Sequence, residues 1–221
     1  MGNAISELLN SALGIALSPI PIVGIFLILL GDSQEKLPSF LYIAGWSLGN
    51  LTVFLLAVAS SSLAVEGTSE PHLLKKVLFF LLGTGLILLA VDQFKKRPKV
   101  GVKVKTPEIL DKMGQLTAKK ALLMGVAFAT LNPINLLLTI SAGASVGVME
   151  ITLVNYLVLV ILFVMLSSSS IIVPTIVYFR DPVKMKPRLL NAKTWLIQNN
   201  SVILSMMLLF IGVNILGKVF S

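Results

Sequence analysis

Two short stretches of this chain combine residue types that build ligand sites in membranes. The first is LSPIP, from Leu17 to Pro21; the second is LNPIN, from Leu131 to Asn135. Leu, Pro and Ile match at a constant offset of 114 residues. Proline has no backbone N–H, so Pro19, Pro21 and Pro133 deprive the carbonyls of Ile15, Leu17 and Ala129 of their helical partners. Such carbonyls cost several kcal/mol in lipid unless protein or water satisfies them, so irregular backbone here belongs inside a bundle. Ser18 and Asn132 stand directly before the prolines. A capping side chain followed by proline is how a helix starts, which predicts a second half-helix beginning at each break. Helix N-termini carry partial positive charge and free N–H groups, and these hold anions or polar heads. Asn135, Thr130, Thr139 and Ser141, with Ser47, Asn50 and Thr52 upstream, are the neutral polar groups placed to assist. The predicted binding set is Ser18, Pro19, Pro21, Asn132, Pro133, Asn135, Asn50, Ser47 and Thr139. A proline in a membrane helix also serves as a plain kink; two matched breaks favour a site.

The elements that must position these residues are apolar. Of 221 residues, 56% are hydrophobic and 13% charged, about half the charge of a soluble domain. Six apolar runs, about 5–30, 38–63, 74–94, 119–148, 150–178 and 200–218, approach or exceed the ~20 residues of a membrane-crossing helix. The first run lacks the basic start of a cleaved signal and is taken as a span. The proline motifs fall in the first and fourth runs. A three-span half reverses its orientation when repeated, which predicts an all-α polytopic membrane protein, a 3+3 inverted repeat with proline-broken first and fourth helices. The division is 1–94 for the first repeat, 95–118 for a basic cytoplasmic loop with an interfacial helix, and 119–221 for the second repeat.

Charge sets the orientation. The first, third and fifth connections hold 15 of the 18 lysines and arginines, which predicts those loops in the cytoplasm and both termini outside. The net charge of +8 is thereby assigned to a membrane face and not to nucleic acid. In the third connection Thr106 and Pro107 suit a helix start, with Ile109, Leu110, Met113 and Leu116 on one face. A second interfacial helix is expected after Pro187, with Leu189, Leu190 and Trp195 at the headgroup level. Lys95, Lys96 and Arg97 are predicted to gather anionic lipid at the cytoplasmic leaflet.

Several chemistries find no residues. Cysteine is absent and His72 is the single histidine, so neither thiolate nor multi-histidine metal sites are expected, nor any cofactor. Each Asp, Glu, Lys and Arg is assigned to a loop or helix end. That leaves no intramembrane carboxylate for a proton relay and no acid–base set for an enzyme. SSSS at Ser167–Ser170, GTG at Gly83–Gly85 and Gly45–Trp46 suit close helix packing, although the serines also suit the lining of a path.

SPIP in the first run, AGW in the second and LNPIN in the fourth resemble the peptidoglycolipid-addressing proteins. These include the sulfolipid-addressing proteins and belong to the lysine-exporter transporter superfamily. The resemblance covers essentially the whole chain. It implies six spans, the proline motifs near a transport path, and movement of glycolipids or other envelope components across a bacterial cytoplasmic membrane. Relatives often carry a lysine after the Asn-Pro pair; here Ile134 stands there, so anion binding rests on backbone dipoles and neutral groups. The expected function is transport of an anionic or polar-headed envelope lipid. An exporter of a small solute such as an amino acid or ion is one alternative, and a non-transport scaffold for envelope assembly is another. The expected partners are membrane lipids, with no nucleic acid; self-association is left open.

Overall fold

The computed structural model describes residues 2–31, 36–64, 72–98, 113–217 and 219. Among them the chain is helical and contains no strand. The helices are α1 (Gly2–Ala16), α2 (Pro19–Leu30), α3 (Leu37–Ala64), α4 (His72–Lys95), α5 (Ala118–Leu131), α6 (Pro133–Gly147), α7 (Leu153–Arg180) and α8 (Pro182–Gly217). By length and composition α3, α7 and α8 are each able to cross a membrane. The pairs α1–α2 and α5–α6 qualify when each is taken as one crossing, giving up to five crossings among the described residues, where the hydropathy pattern of the whole chain predicts six. These two pairs are bent by 46° and 71°. Both predicted breaks are therefore present, at Ser18–Pro19 and Asn132–Pro133.

The chain divides into two compact units. One comprises Met1–Glu66 with Thr106–Trp195, the other Gly67–Lys105 with Leu196–Ser221. This division does not follow the predicted segments 1–94, 95–118 and 119–221. In the larger unit α3 packs along α5 and α6, while α7 packs along α1 and α2. Each broken pair thus has one long unbroken helix laid against it.

Glycines let these helices approach to backbone contact, as small residues do in membrane bundles. A Cβ on Gly45 would run into the carbonyl oxygen of Leu122, and one on Gly125 into that of Tyr42. Further along the same face, Gly143 meets Phe54 and Ala57, and Gly147 meets Val58 and Ser61. The predicted role of Gly45 and Trp46 in close packing is borne out, and Trp46 is almost wholly buried. The indole Nε1 donates to the Ser167 carbonyl at 3.4 Å, and the Ser47 and Ser168 hydroxyls are 3.1 Å apart. Ser167 and Ser168 are buried, so this part of the serine run joins α3 to α7. Phe54 stacks on Phe163 nearby, with centroids 4.6 Å apart. In the smaller unit Gly83 and Gly212 face each other, each Cβ position 2.9 Å from the other's carbonyl oxygen, whereas Gly85 faces open space.

Two expectations need correction. Residues 106–112 of the predicted interfacial helix lie outside the described residues, but 113–117 are not α-helical. Met113–Gln115 form a single 3-10 turn, and Thr117 is the N-cap of α5. Met113 is buried against α2, its methyl beside Gly24, because that glycine leaves a hole a thioether can fill. The fifth connection is helical, as expected: Asp181 caps α8 by accepting from the Lys184 N–H at 3.1 Å, with Pro182 at the first helical position. Leu189, expected at the headgroups, is buried, while Leu190 and Trp195 are exposed.

The Tyr42 hydroxyl, fully buried, donates to the Pro21 carbonyl at 3.0 Å and ties α3 to the first broken pair. Tyr42→Phe is expected to lower stability by about 0.6–1 kcal/mol, the value of one hydrogen bond in a membrane bundle. A small downward shift of the thermal midpoint in detergent, with an unchanged elution volume, is the expected reading.

Candidate functional site

The two proline breaks meet. The Asn132 amide Nδ2 donates to the Ser18 hydroxyl at 3.3 Å across 114 residues of sequence. The two ends are built differently. Asn132, in extended conformation (φ −75°, ψ 113°), accepts the Ile134 N–H on its Oδ1 at 3.1 Å, the predicted cap of α6. Ser18 has N-cap backbone angles (φ −62°, ψ 118°) but makes no side-chain cap bond. Its expected capping role is therefore not observed; the hydroxyl is committed to Asn132 instead. The Ile15 carbonyl, deprived of its partner by Pro19, takes the Ser18 N–H at 3.0 Å, a 3-10 closure of the last turn of α1.

From this junction a polar line runs along α6. Asn132, Asn135 and Thr139 are separated by three and four residues and so share one helix face. Thr139, almost fully buried, donates to the Asn50 Oδ1 of α3 at 3.2 Å. The Asn50 Nδ2 in turn donates to the Trp46 carbonyl at 3.0 Å. Between these two satisfied ends lies Asn135. Its side chain is fully buried, and neither Nδ2 nor Oδ1 has a hydrogen-bond partner. More than about 90% of buried polar groups are hydrogen-bonded, which sets the Asn135 amide apart from its neighbours on this line.

The predicted residues therefore divide. Ser18, Asn132, Asn135, Thr139 and Asn50 come together, with Pro19 and Pro21 buried beside Ser18 in the first turn of α2. Pro133 is exposed, and its part is to start α6. Ser47 belongs to the α3–α7 contact through Ser168 and not to this line. Thr52 is exposed and bonds the Leu48 carbonyl, while Thr130 bonds the Val126 carbonyl; both are spent on their own helices. In the smaller unit Lys95, Lys96 and Arg97 are exposed at the end of α4. Lys96 pairs with Asp92 at 2.6 Å, and Arg97 lies over the Phe94 ring at 4.0 Å.

One participant was missed. Glu7 had been assigned to a helix end, yet it lies in the second turn of α1, half-buried, and its Oε1 accepts from the Ser141 hydroxyl of α6 at 2.5 Å. A carboxylate is thus held between the two broken pairs, about 16 Å along α1 from the break at the usual helical rise. The sequence supplies only the spacing: Glu7 is four residues before Ser11 and eight before Ile15 and shares their face, which the structure buries. Among the described residues no group of acidic, histidine or cysteine side chains is placed to hold a metal ion.

The family model of Sap, the sulfolipid-1-addressing protein, matches residues 8–220, nearly the whole chain and both proline breaks. The chain belongs to the sulfolipid-1-addressing protein family. No curated protein and no solved structure matches it. The match spans a framework with several helices apolar enough to cross a membrane.

Proposed function

We propose that this protein is a transporter that moves a polar-headed envelope lipid across the cytoplasmic membrane by alternating access, leaving the lipid chemically unchanged. The observation that carries this reading is the Asn132–Ser18 contact: two interrupted crossings place their breaks against each other. Breaks of this kind, paired across a bundle, are where transporters hold their cargo. The packing supports a six-span 3+3 inverted repeat of the lysine-exporter kind, with α4 as the third span. The second span lies on the broken fourth, and the fifth lies on the broken first. The division into units matches too, since one takes the first two spans of each half and the other the third. In this reading both termini are extracytoplasmic, and the basic end of α4 draws lipid to the cytoplasmic leaflet at about 1 kcal/mol per free cation.

The test is reconstitution into vesicles carrying fluorescent lipids in one leaflet. Accelerated crossing of at least one glycosylated or anionic lipid over protein-free vesicles is expected. No acceleration with any lipid, together with thermal stabilisation by an amino acid or inorganic ion, transfers the site to the small-solute reading. No acceleration and no ligand, with co-purification of an envelope enzyme, leaves the scaffold reading.

A further inference from the structure

Among the described residues Glu7 is the only aspartate or glutamate within a helix of the larger unit. It stands on a seam between the two broken pairs. α1 and α6 run antiparallel and pack closely. Ser18 meets Asn132 at the breaks, and one turn along, a Cβ on Gly14 would lie 2.9 Å from the Leu138 Cδ1. Beyond these, Glu7 meets Ser141. On the other side of the breaks α2 and α5 touch only marginally. The junction is thus closed from the α1–α6 side, and Glu7 sits toward the far end of that closure.

The Ser141–Glu7 contact of 2.5 Å has the length of a hydroxyl donating to a carboxylate, shorter than the ~2.7–2.8 Å usual between neutral oxygens. Charge-assisted bonds of this kind are about twice as strong as neutral ones. The Ser145 hydroxyl, one turn on, bonds the Ser141 carbonyl at 2.9 Å and does not compete. A proton on Glu7 turns its bond to Ser141 into a neutral one. Glu7 is only half-buried, so water reaches the carboxyl and exchanges that proton.

The helices packed on α1 bring no other carboxylate to the seam. α1 has no second ionisable side chain, and α6 has none. α7 carries Tyr156 in its first turn, a residue type that titrates near pH ~10, with Tyr178 and Arg180 about 33 Å or more further along. Glu150 is exposed in the turn after α6. The amino group of Met1 lies outside the described residues and is of a type that titrates near pH ~7.7.

We propose that Glu7 is a proton-binding site that latches the α1–α6 seam: ionised, it holds the broken pairs together through Ser141, and a bound proton lets the seam part. This rests on the alternating-access reading of the same junction and names what works its gate. In the orientation given above, the proton arrives from the extracytoplasmic side. The sign follows from the bond: closure is strongest at neutral pH and weakens as pH falls.

The seam is measured directly. The chain has no cysteine, so a spin-label pair goes in cleanly. Ser6 and Val148, both exposed and far from the breaks, are changed to cysteine and labelled. Their separation is read by double electron–electron resonance in phosphatidylcholine nanodiscs from about pH 7 to about pH 3.5, a range that spans the ordinary glutamate value of ~4.3. The ratio of long to short separations is expected to rise about threefold across that range. In Glu7→Gln, neutral throughout, the ratio is expected to stand about fivefold above the parent's pH 7 value at every pH, the factor between a charge-assisted and a neutral bond. Ser141→Ala removes the donor and parts the seam already at pH 7, so acid no longer widens it. Glu150→Gln keeps the parent's response. A parent seam that does not widen in acid overturns the assignment, as does equal widening in Glu7→Gln or loss of the response in Glu150→Gln. An acid-driven seam without lipid crossing in vesicles leaves the latch standing and sinks the transporter; crossing with a pH-blind seam does the reverse.

Discussion

Gly45→Leu and Gly125→Leu are expected to yield no folded protein. Even the first carbon of a side chain at either position occupies the space of a backbone carbonyl oxygen on the facing helix, Leu122 for Gly45 and Tyr42 for Gly125. Backbone cannot turn aside as a flexible side chain can. The helices must separate, and with them go the Tyr42–Pro21 and Thr139–Asn50 bonds. Overpacking of this kind costs about 3 kcal/mol or more, a large share of the stability of any domain. Gly85→Leu is the matched control, because nothing lies within 4 Å of its Cβ position. Monodisperse elution from a sizing column and a cooperative thermal transition are the readings. Both are expected to survive at position 85 and to be lost at 45 and 125. A well-folded Gly45→Leu protein would mean that α3 and α5 are not in backbone contact.

The second large effect is expected at the junction of the breaks. Asn132→Ala removes two interactions, the cap on Ile134 and the bond to Ser18. Each is worth about 1 kcal/mol. Ser18→Ala removes only the second, so the single variants differ and a double-mutant cycle isolates their coupling at about 0.5–1 kcal/mol. If cargo passes this junction, lipid crossing in vesicles falls at least tenfold in Asn132→Ala, more than its loss of folded protein accounts for. Zero coupling in the cycle would show that the breaks do not meet, and the proposed site would go with it.

Both breaks were legible in the sequence because proline acts locally. The missing N–H and fixed φ at Pro19 and Pro133 interrupt a helix whatever surrounds them. The apolar runs were legible because composition at that scale leaves few alternatives to membrane-length helices. Glycine packing at Gly45 was anticipated for the same reason, as a residue whose use is close approach. The exact partners were not: Gly45 faces Leu122 and Gly83 faces Gly212, pairings between distant segments. Ser18 shows the limit from the other side. Its place before proline predicts a cap, yet the hydroxyl goes to Asn132, a competitor that enters its reach only through the fold. Thr52 and Ser47 lie within five residues of Asn50 but bond elsewhere, because successive helical positions point about 100° apart.

By itself, then, the sequence determined a helical, membrane-type chain with two matched proline breaks and uncharged polar residues beside them. These are properties of the backbone and of composition, set within a few residues. Only the tertiary structure decided that the breaks touch, that Glu7 reaches Ser141, and that Asn135 is buried with neither amide atom hydrogen-bonded. A hydrogen bond across 114 residues depends on how α1, α3 and α6 cross, and those crossings are fixed by backbone contact at glycines that no local pattern pairs.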